Sequence, residues 1–343
     1  MMTTEKKKIR FDEVTLMRTI LAALIVFMHA FTCYQGGWAK PEGCIDIPIY
    51  KWIARTAFAF TLEAFVFISG YLFAFQCVTL NKTGNVIINK LKRLILPSII
   101  FSVLYFLSFY KYQGLSNFVY SIINGCGHMW YLPMLFWCFV GVVIIQKINI
   151  GDGWKLLLFV FLNLFCLLPL PLQYSATANY IFYFYLGYVV YKHSEKIKST
   201  IKSKHIVLSW IAFLIVFIIL RPLKETISFG SPEFKPHIYL TEIARNSCQL
   251  IYATIGTITF YITVIWFVQK KQLNKFVTSL ASCCFGIYII HQFLLVTLYY
   301  KTNFASAVGP YWFPWCGFVL VISSSYLLSL LILKTRLGKF LIG

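Results

Sequence analysis

Acidic residues are scarce in this 343-residue chain: Asp and Glu together number 11, against 31 Lys and Arg. Charge of either sign makes up only 12% of the residues, where a soluble globular protein carries roughly 25%. That shortage excludes an ordinary cytosolic enzyme, whose exterior must face water. Disorder is excluded from the other side, because 59% of the residues are hydrophobic and 19% aromatic. Paired cysteines are missing too. The ten cysteines are scattered without a Cys-x-x-Cys pair, which argues against a metal centre and against a small disulfide scaffold. Cys33 and Cys44 alone lie close enough in the outward-facing part of the sequence to suggest a bridge. Internal repeats and low-complexity tracts are absent as well.

Long apolar runs are what the sequence does have. They recur at approximately 15–34, 52–77, 94–110, 129–146, 154–172, 175–191, 206–220, 243–268, 279–300 and 311–333. Runs of this length cross a bilayer as helices, so the expected fold is all-α: a polytopic membrane bundle of about ten transmembrane helices. The first run is too long for a cleavable signal peptide, and no small-residue cleavage site follows it. The chain divides into a short N-terminal segment (1–14), one membrane-embedded unit (15–333) and a tail (334–343).

The net charge of +20 would suggest nucleic acid in a soluble domain. Here it reads as orientation instead, and no nucleic-acid partner is expected. With the N-terminus inside, 21 of the 31 cations fall in cytoplasmic segments: Lys6, Lys7, Lys8 and Arg10, then Lys82, Lys90, Lys92 and Arg93, with further clusters around Lys147, Lys192, Lys270 and the tail. The outer segments hold 8, including Arg221, Lys224, Lys235 and Arg245, and Arg18 and Arg55 lie inside span ends. This bias obeys the positive-inside rule and predicts that both termini are cytoplasmic. The longest outer segment, about 221–242, carries Pro222, Gly230, Pro232 and Pro236 and reads as an ordered or re-entrant loop.

A charge at the bilayer centre costs roughly 2.5–3.5 kcal/mol on insertion scales, so ionisable residues inside spans call for a reason. Arg18 and His29 stand eleven residues apart in the first span, about 16 Å along a helix. Glu63 lies deep in the second span, and His291 in the ninth reaches a similar depth. These three groups either form a satisfied network tying helices together or line an aqueous cavity. At the basic face, Arg18, Lys90, Lys92 and Arg93 form a second constellation, and since guanidinium groups hold phosphates bidentately, Arg18 with Arg93 can hold an anionic cofactor. The alternative for such cations is contact with lipid headgroups. At the outer end of the fourth span, His128 and Trp130 either belong to an interfacial aromatic belt or line a cavity suited to sugar rings.

These residues resemble a known family, the bacterial integral-membrane acyltransferase family 3. Arg18-x10-His29 is similar to its Arg/Lys-x10-His signature, and Glu63-Ala-Phe-Val-Phe-Ile-Ser-Gly-Tyr-Leu to its acidic residue followed by an Ile-Ser-Gly-aromatic-Leu run. Lys92-Arg93-Leu-Ile-Leu-Pro97, His128-Met-Trp130-Tyr-Leu and Tyr288-Ile-Ile-His291 match further elements in the family's order. Two departures stand out: Glu63 replaces the usual Asp, and the Gly-Gly-aromatic lead before it is absent. The resemblance implies a multi-pass protein of the bacterial cytoplasmic membrane that moves an acyl group, acetyl by family frequency, from cytoplasmic acyl-CoA to a hydroxyl of a cell-surface or lipid-linked glycan. It implies His29 as general base oriented by Glu63, donor phosphates near Arg18, Arg93 and Lys92, and His128, Trp130, Tyr288 and His291 as substrate or oxyanion candidates. Acetyl-CoA is then a substrate; no resident cofactor and no metal are expected. The competing expectation is an exporter of polysaccharide or lipid-linked sugar using the same cavity without chemistry.

Overall fold

A computed structural model describes residues 11–79, 86–229 and 236–343. Lys6, Lys7, Lys8, Arg10, Lys82 and Lys235 of the charge bias lie outside the described residues, as do Gly230 and Pro232 of the long outer segment. Among the described residues every regular element is helical. This follows from the solvent, because a helix satisfies its backbone hydrogen bonds internally and lipid offers none.

The chain opens with α1 (Asp12–Ala30), which a short 3-10 turn follows. The second apolar run is not one helix. It breaks into α2 (Pro48–Phe58) and α3 (Thr61–Ala74), with Phe60 out of helical geometry between them. The Phe60 ring packs against Phe213 and Phe260, at centroid distances of 5.5 and 5.8 Å, so tertiary contacts hold the break in place. Next come α4 (Val86–Lys90), a π-helical turn at Leu91–Ile95, α5 (Leu96–Phe109), α6 (Leu115–Asn124) and α7 (Tyr131–Gln146). The middle of the chain forms α8 (Asp152–Phe165), α9 (Tyr174–Lys192), α10 (Ser194–Thr200) and α11 (Ser203–Thr226). The last part forms α12 (Pro236–Lys270), α13 (Lys275–Tyr300), α14 (Phe304–Val308), α15 (Phe313–Ile332) and α16 (Arg336–Ile342).

Eight stretches of the described chain are long and apolar enough to cross a bilayer. They correspond to eight of the ten expected runs. The other two, near 154–172 and 175–191, are α8 and α9. With 14 residues, α8 is about 21 Å long, less than the roughly 30 Å of a hydrocarbon core. The 19 residues of α9 include six tyrosines and an asparagine, which lower its hydropathy. Two further boundaries move. The helix expected at 206–220 continues through Pro222 to Thr226, which brings Arg221 into the bundle and shortens the expected outer loop. All ten cysteines, Cys33 and Cys44 included, are free thiols, so the suggested bridge is not formed.

Packing is closest between α3 and α9, where two glycines face each other's backbone. A Cβ built on Gly70 would lie 1.8 Å from Phe184 O, and one on Gly187 would lie 2.0 Å from Phe67 O. Small residues at such crossings let dispersion and backbone contacts substitute for the hydrophobic drive that lipid removes. The pairs α11–α12, α1–α13 and α13–α15 complete the main contacts. Thus α1, α3, α7, α9, α12 and α13 surround the interior, and α11 packs on the rim, burying only Phe213 and Phe217.

Candidate active site

Two cavities enter this interior. One, of about 320 Å³, lies at the end of the bundle that carries the cations; Arg18, Lys90 and Arg93 line it, and Phe340 and Ile342 of α16 form part of its wall. Among the described residues, none of these three cations has an acidic partner. Lys90 Nζ sits 4.1 Å from the centroid of the Phe139 ring. The π-helical turn at Leu91–Ile95 sets which basic residues face inward, as such turns often do at functional sites. Lys90 and Arg93 reach the lining, whereas Lys92 lies outside it, so the lysine of this segment that faces the cavity is Lys90.

The second cavity, of about 570 Å³, lies toward the opposite end and is lined by His29, Glu63, His128, Trp130, Tyr288 and Arg221, among others. Both cavities share Ile25, Tyr131 and Tyr288 as wall residues. Four of the polar residues singled out in the sequence thus meet in one chamber, and Tyr288 stands where it adjoins the other.

His29 ends α1. Its Nδ1 lies 2.9 Å from the carbonyl of Ile25 and 3.3 Å from Nε2 of His291. A carbonyl only accepts, so Nδ1 carries the proton, and in the neutral ring the lone pair is on Nε2. His291 is wholly buried, with its Nδ1 2.6 Å from the carbonyl of Tyr288 and 3.1 Å from that of Ile287. By the same reasoning its Nδ1 donates, and its Nε2 is left to accept from His29. The two imidazoles therefore form one directed chain with a fixed tautomer at each ring.

Glu63, expected to orient His29, bonds Gln249 in this structure. It sits in the first turn of α3, just after the break, where the helix dipole favours a carboxylate. Its Oε1 accepts from Gln249 Nε2 at 3.1 Å, its Oε2 has no partner, and among the described residues no hydrogen bond joins it to His29. Ile25 O and His291 occupy the position instead, because the break turns Glu63 toward α12. The oxyanion expectations change for a related reason. The Tyr288 hydroxyl already donates to the backbone carbonyl of His128 at 2.5 Å, and both nitrogens of His291 are engaged, so neither proton is free. His128 is buried, with its Nε2 3.0 Å from Ile289 O, and the Trp130 ring stands 6.0 Å from that of Tyr180.

Beyond these residues the chamber is lined by Gln249, Gln292, Tyr131, Tyr180, Trp38 and Arg221. A survey of Asn and Gln within the apolar runs would have found the two glutamines. Arg221 was hidden by being read as part of a loop. It donates to Tyr252 at 3.4 Å and pairs with Glu225 at 3.3 Å, and Glu225 also binds Arg55.

The sequence profile of the family described as an acyltransferase domain matches residues 11–334 of the 343. No curated protein and no solved structure matches the chain.

Proposed function

We infer, because the chain belongs to acyltransferase family 3 through that match, that the two cavities receive the donor and the acceptor of an acyl transfer within the membrane. The donor is an acyl-CoA, acetyl-CoA in the simplest case. It comes from the cytoplasm to the basic end, with its phosphates near Arg18 and Arg93 and with Lys90 adding charge. The acceptor is a hydroxyl of a cell-surface or lipid-linked glycan in the opposite chamber, and the protein works as a multi-pass enzyme of the bacterial cytoplasmic membrane. The observation that carries this reading is the wall of Ile25, Tyr131 and Tyr288 common to both cavities, with His29 lining the chamber on the acceptor side.

The chemistry follows from the tautomer of His29. The acceptor oxygen forms a bond to the thioester carbonyl carbon as Nε2 takes the hydroxyl proton, the task of a general base. The C–S bond then breaks, and the leaving thiolate takes the proton back from the imidazolium. The products are an O-acyl ester and free coenzyme A, with His29 neutral again. While the ring is charged, its Nδ1–H still points at the Ile25 carbonyl and the His291 lone pair. These two acceptors stabilise the imidazolium as a carboxylate does in other acyl-transfer sites.

Purified protein given radiolabelled acetyl-CoA and membrane glycans is expected to release coenzyme A and label the glycan. His29→Ala is expected to slow both by about 10²-fold or more. Label transfer by His29→Ala at the wild-type rate would remove His29 from the reaction.

A further inference from the structure

The acceptor chamber has a side pocket of about 210 Å³ whose lining is entirely polar or tyrosine. Glu63, Tyr180 and Gln249 belong to both chamber and pocket; Asn163, Asn179, Asn246 and Tyr183 belong to the pocket alone. None of this set was singled out in the sequence except Glu63. The pocket gathers residues from four helices: Glu63 from α3, Asn163 from α8, Asn179 and both tyrosines from α9, and Asn246 and Gln249 from α12.

Such a lining is costly inside a membrane protein, since a buried amide or hydroxyl left without a hydrogen bond is destabilising. The amides are nonetheless held in place. Asn163 Nδ2 donates to the backbone carbonyl of Asn179 at 2.6 Å, and Asn246 Nδ2 donates to that of Asn163 at 3.5 Å. Each amide nitrogen keeps a second hydrogen, so both donors and acceptors remain in the lining. Three polar atoms of this lining, Glu63 Oε2, Asn179 Oδ1 and the Tyr183 hydroxyl, are buried with no hydrogen-bond partner among the described residues. A wall that offers both donors and acceptors is matched by hydroxyl groups, which donate and accept at once. No Lys or Arg lines the pocket and the Glu63 carboxyl does, so the lining has no positive charge to pair with an anionic group. It is also roomier than one metal ion needs, whose oxygen ligands would close to about 2.3–2.6 Å. The rings of Tyr180 and Tyr183, 6.4 Å apart, add flat surfaces of the kind that pack on the C–H faces of a sugar.

We propose that this pocket is a saccharide subsite: an uncharged sugar unit of the acceptor is seated there by its hydroxyls, leaving a neighbouring hydroxyl in the chamber that His29 lines. The proposal rests on the acyl-transfer reading above and gives Glu63 a different task from the one its sequence position suggested. Its carboxyl group, on the boundary between pocket and chamber, binds the acceptor and leaves His29 to the His291 chain. Uncharged hexoses, N-acetylhexosamines and 6-deoxyhexoses fit this description, and uronic acids do not.

The test uses the full-length protein in detergent with radiolabelled acetyl-CoA. The probes are octyl glycosides of those three uncharged classes, with octyl glucuronide and octane-1,2-diol beside them. Label is expected on at least one uncharged glycoside and not on the glucuronide. For that glycoside, Asn179→Leu and the smaller change Tyr183→Phe are each expected to raise KM by about 10-fold, the loss of one buried hydrogen bond. The KM for acetyl-CoA is expected to stay at its wild-type value, which also reports that both variants fold. Coenzyme A release with label on no glycoside, or wild-type KM for the glycoside in both variants, would overturn the subsite and leave acyl transfer standing. A wild-type protein that releases no coenzyme A at all would instead overturn the acyl-transfer reading on which the subsite depends.

Discussion

Arg18 and His29 are one sequence motif, yet they line different cavities. Their eleven-residue spacing sets them about 16 Å apart along α1, with Arg18 in the basic cavity and His29 in the opposite chamber. Removing the guanidinium should therefore weaken donor binding and leave the chemical step alone. For Arg18→Ala, KM for acetyl-CoA is expected to rise about 10- to 100-fold, the worth of a hydrogen bond to a charged group. Lys92→Ala, which alters an exposed side chain outside the cavity, is expected to leave that KM unchanged. Steady-state kinetics on the two variants check both. At this scale the sequence was informative about which residues matter, because a histidine or glutamate within an apolar run is costly and conspicuous. It said little about how they bond. The pairing of His29 with His291 depends on how α1 and α13 face each other, and the turn of Glu63 toward Gln249 depends on a helix break.

That break shows what could be read of the elements and what could not. Apolar runs locate spans well, since the bilayer demands length. The residues Ala57-Phe-Ala-Phe60 contain no Gly or Pro, and the interruption there comes from Phe60 packing against Phe213 and Phe260, contacts far away in sequence. The glycine of the Ile-Ser-Gly-Tyr run reads differently once α3 and α9 are seen together: it is a point of backbone contact. Gly70→Leu is expected to force the two helices apart and destabilise the protein by about 1–3 kcal/mol, the usual cost of overpacking, seen as a lower Tm in detergent. At the other end of α9, Lys192 Nζ and the Tyr185 hydroxyl donate to Asp152 at 2.5 and 2.7 Å and fasten it to the start of α8. Partial burial works against the Asp152 carboxylate, and these two hydrogen bonds outweigh it, holding its pKa below the usual range. A carboxyl lowered on folding adds stability above its unfolded pKa, and that stability fades as the pH falls through the folded one. Asp152→Asn should accordingly lower Tm at neutral pH, and the gap from wild type should close as the solution is made acidic through and below the ordinary carboxylate range. Thermal melts at a series of pH values check this.

For the molecule as a whole, the charge balance and the cavities agree on a direction. Three of the 31 cations, Arg18, Lys90 and Arg93, line the cavity at the basic end, and the largely uncharged lining of the side pocket lies on the other side of the wall. On the reading proposed above, an enzyme built this way needs no carrier to move its acyl group across the membrane, because each substrate enters from its own side. The same arrangement imposes a duty unconnected with catalysis. Ile25, Tyr131 and Tyr288 form the wall common to both cavities; on that reading they also insulate two wet compartments, and a cell that stores energy as an ion gradient cannot tolerate a hole there. Replacing both tyrosines by alanine is expected to make sealed vesicles bearing the protein conduct protons, read as faster collapse of an imposed pH difference with a trapped dye. Vesicles as tight as wild type would mean that other side chains make the seal. On that reading the aromatic wall answers to two demands at once, openness to an acyl group and closure to the ions that energise the membrane around it.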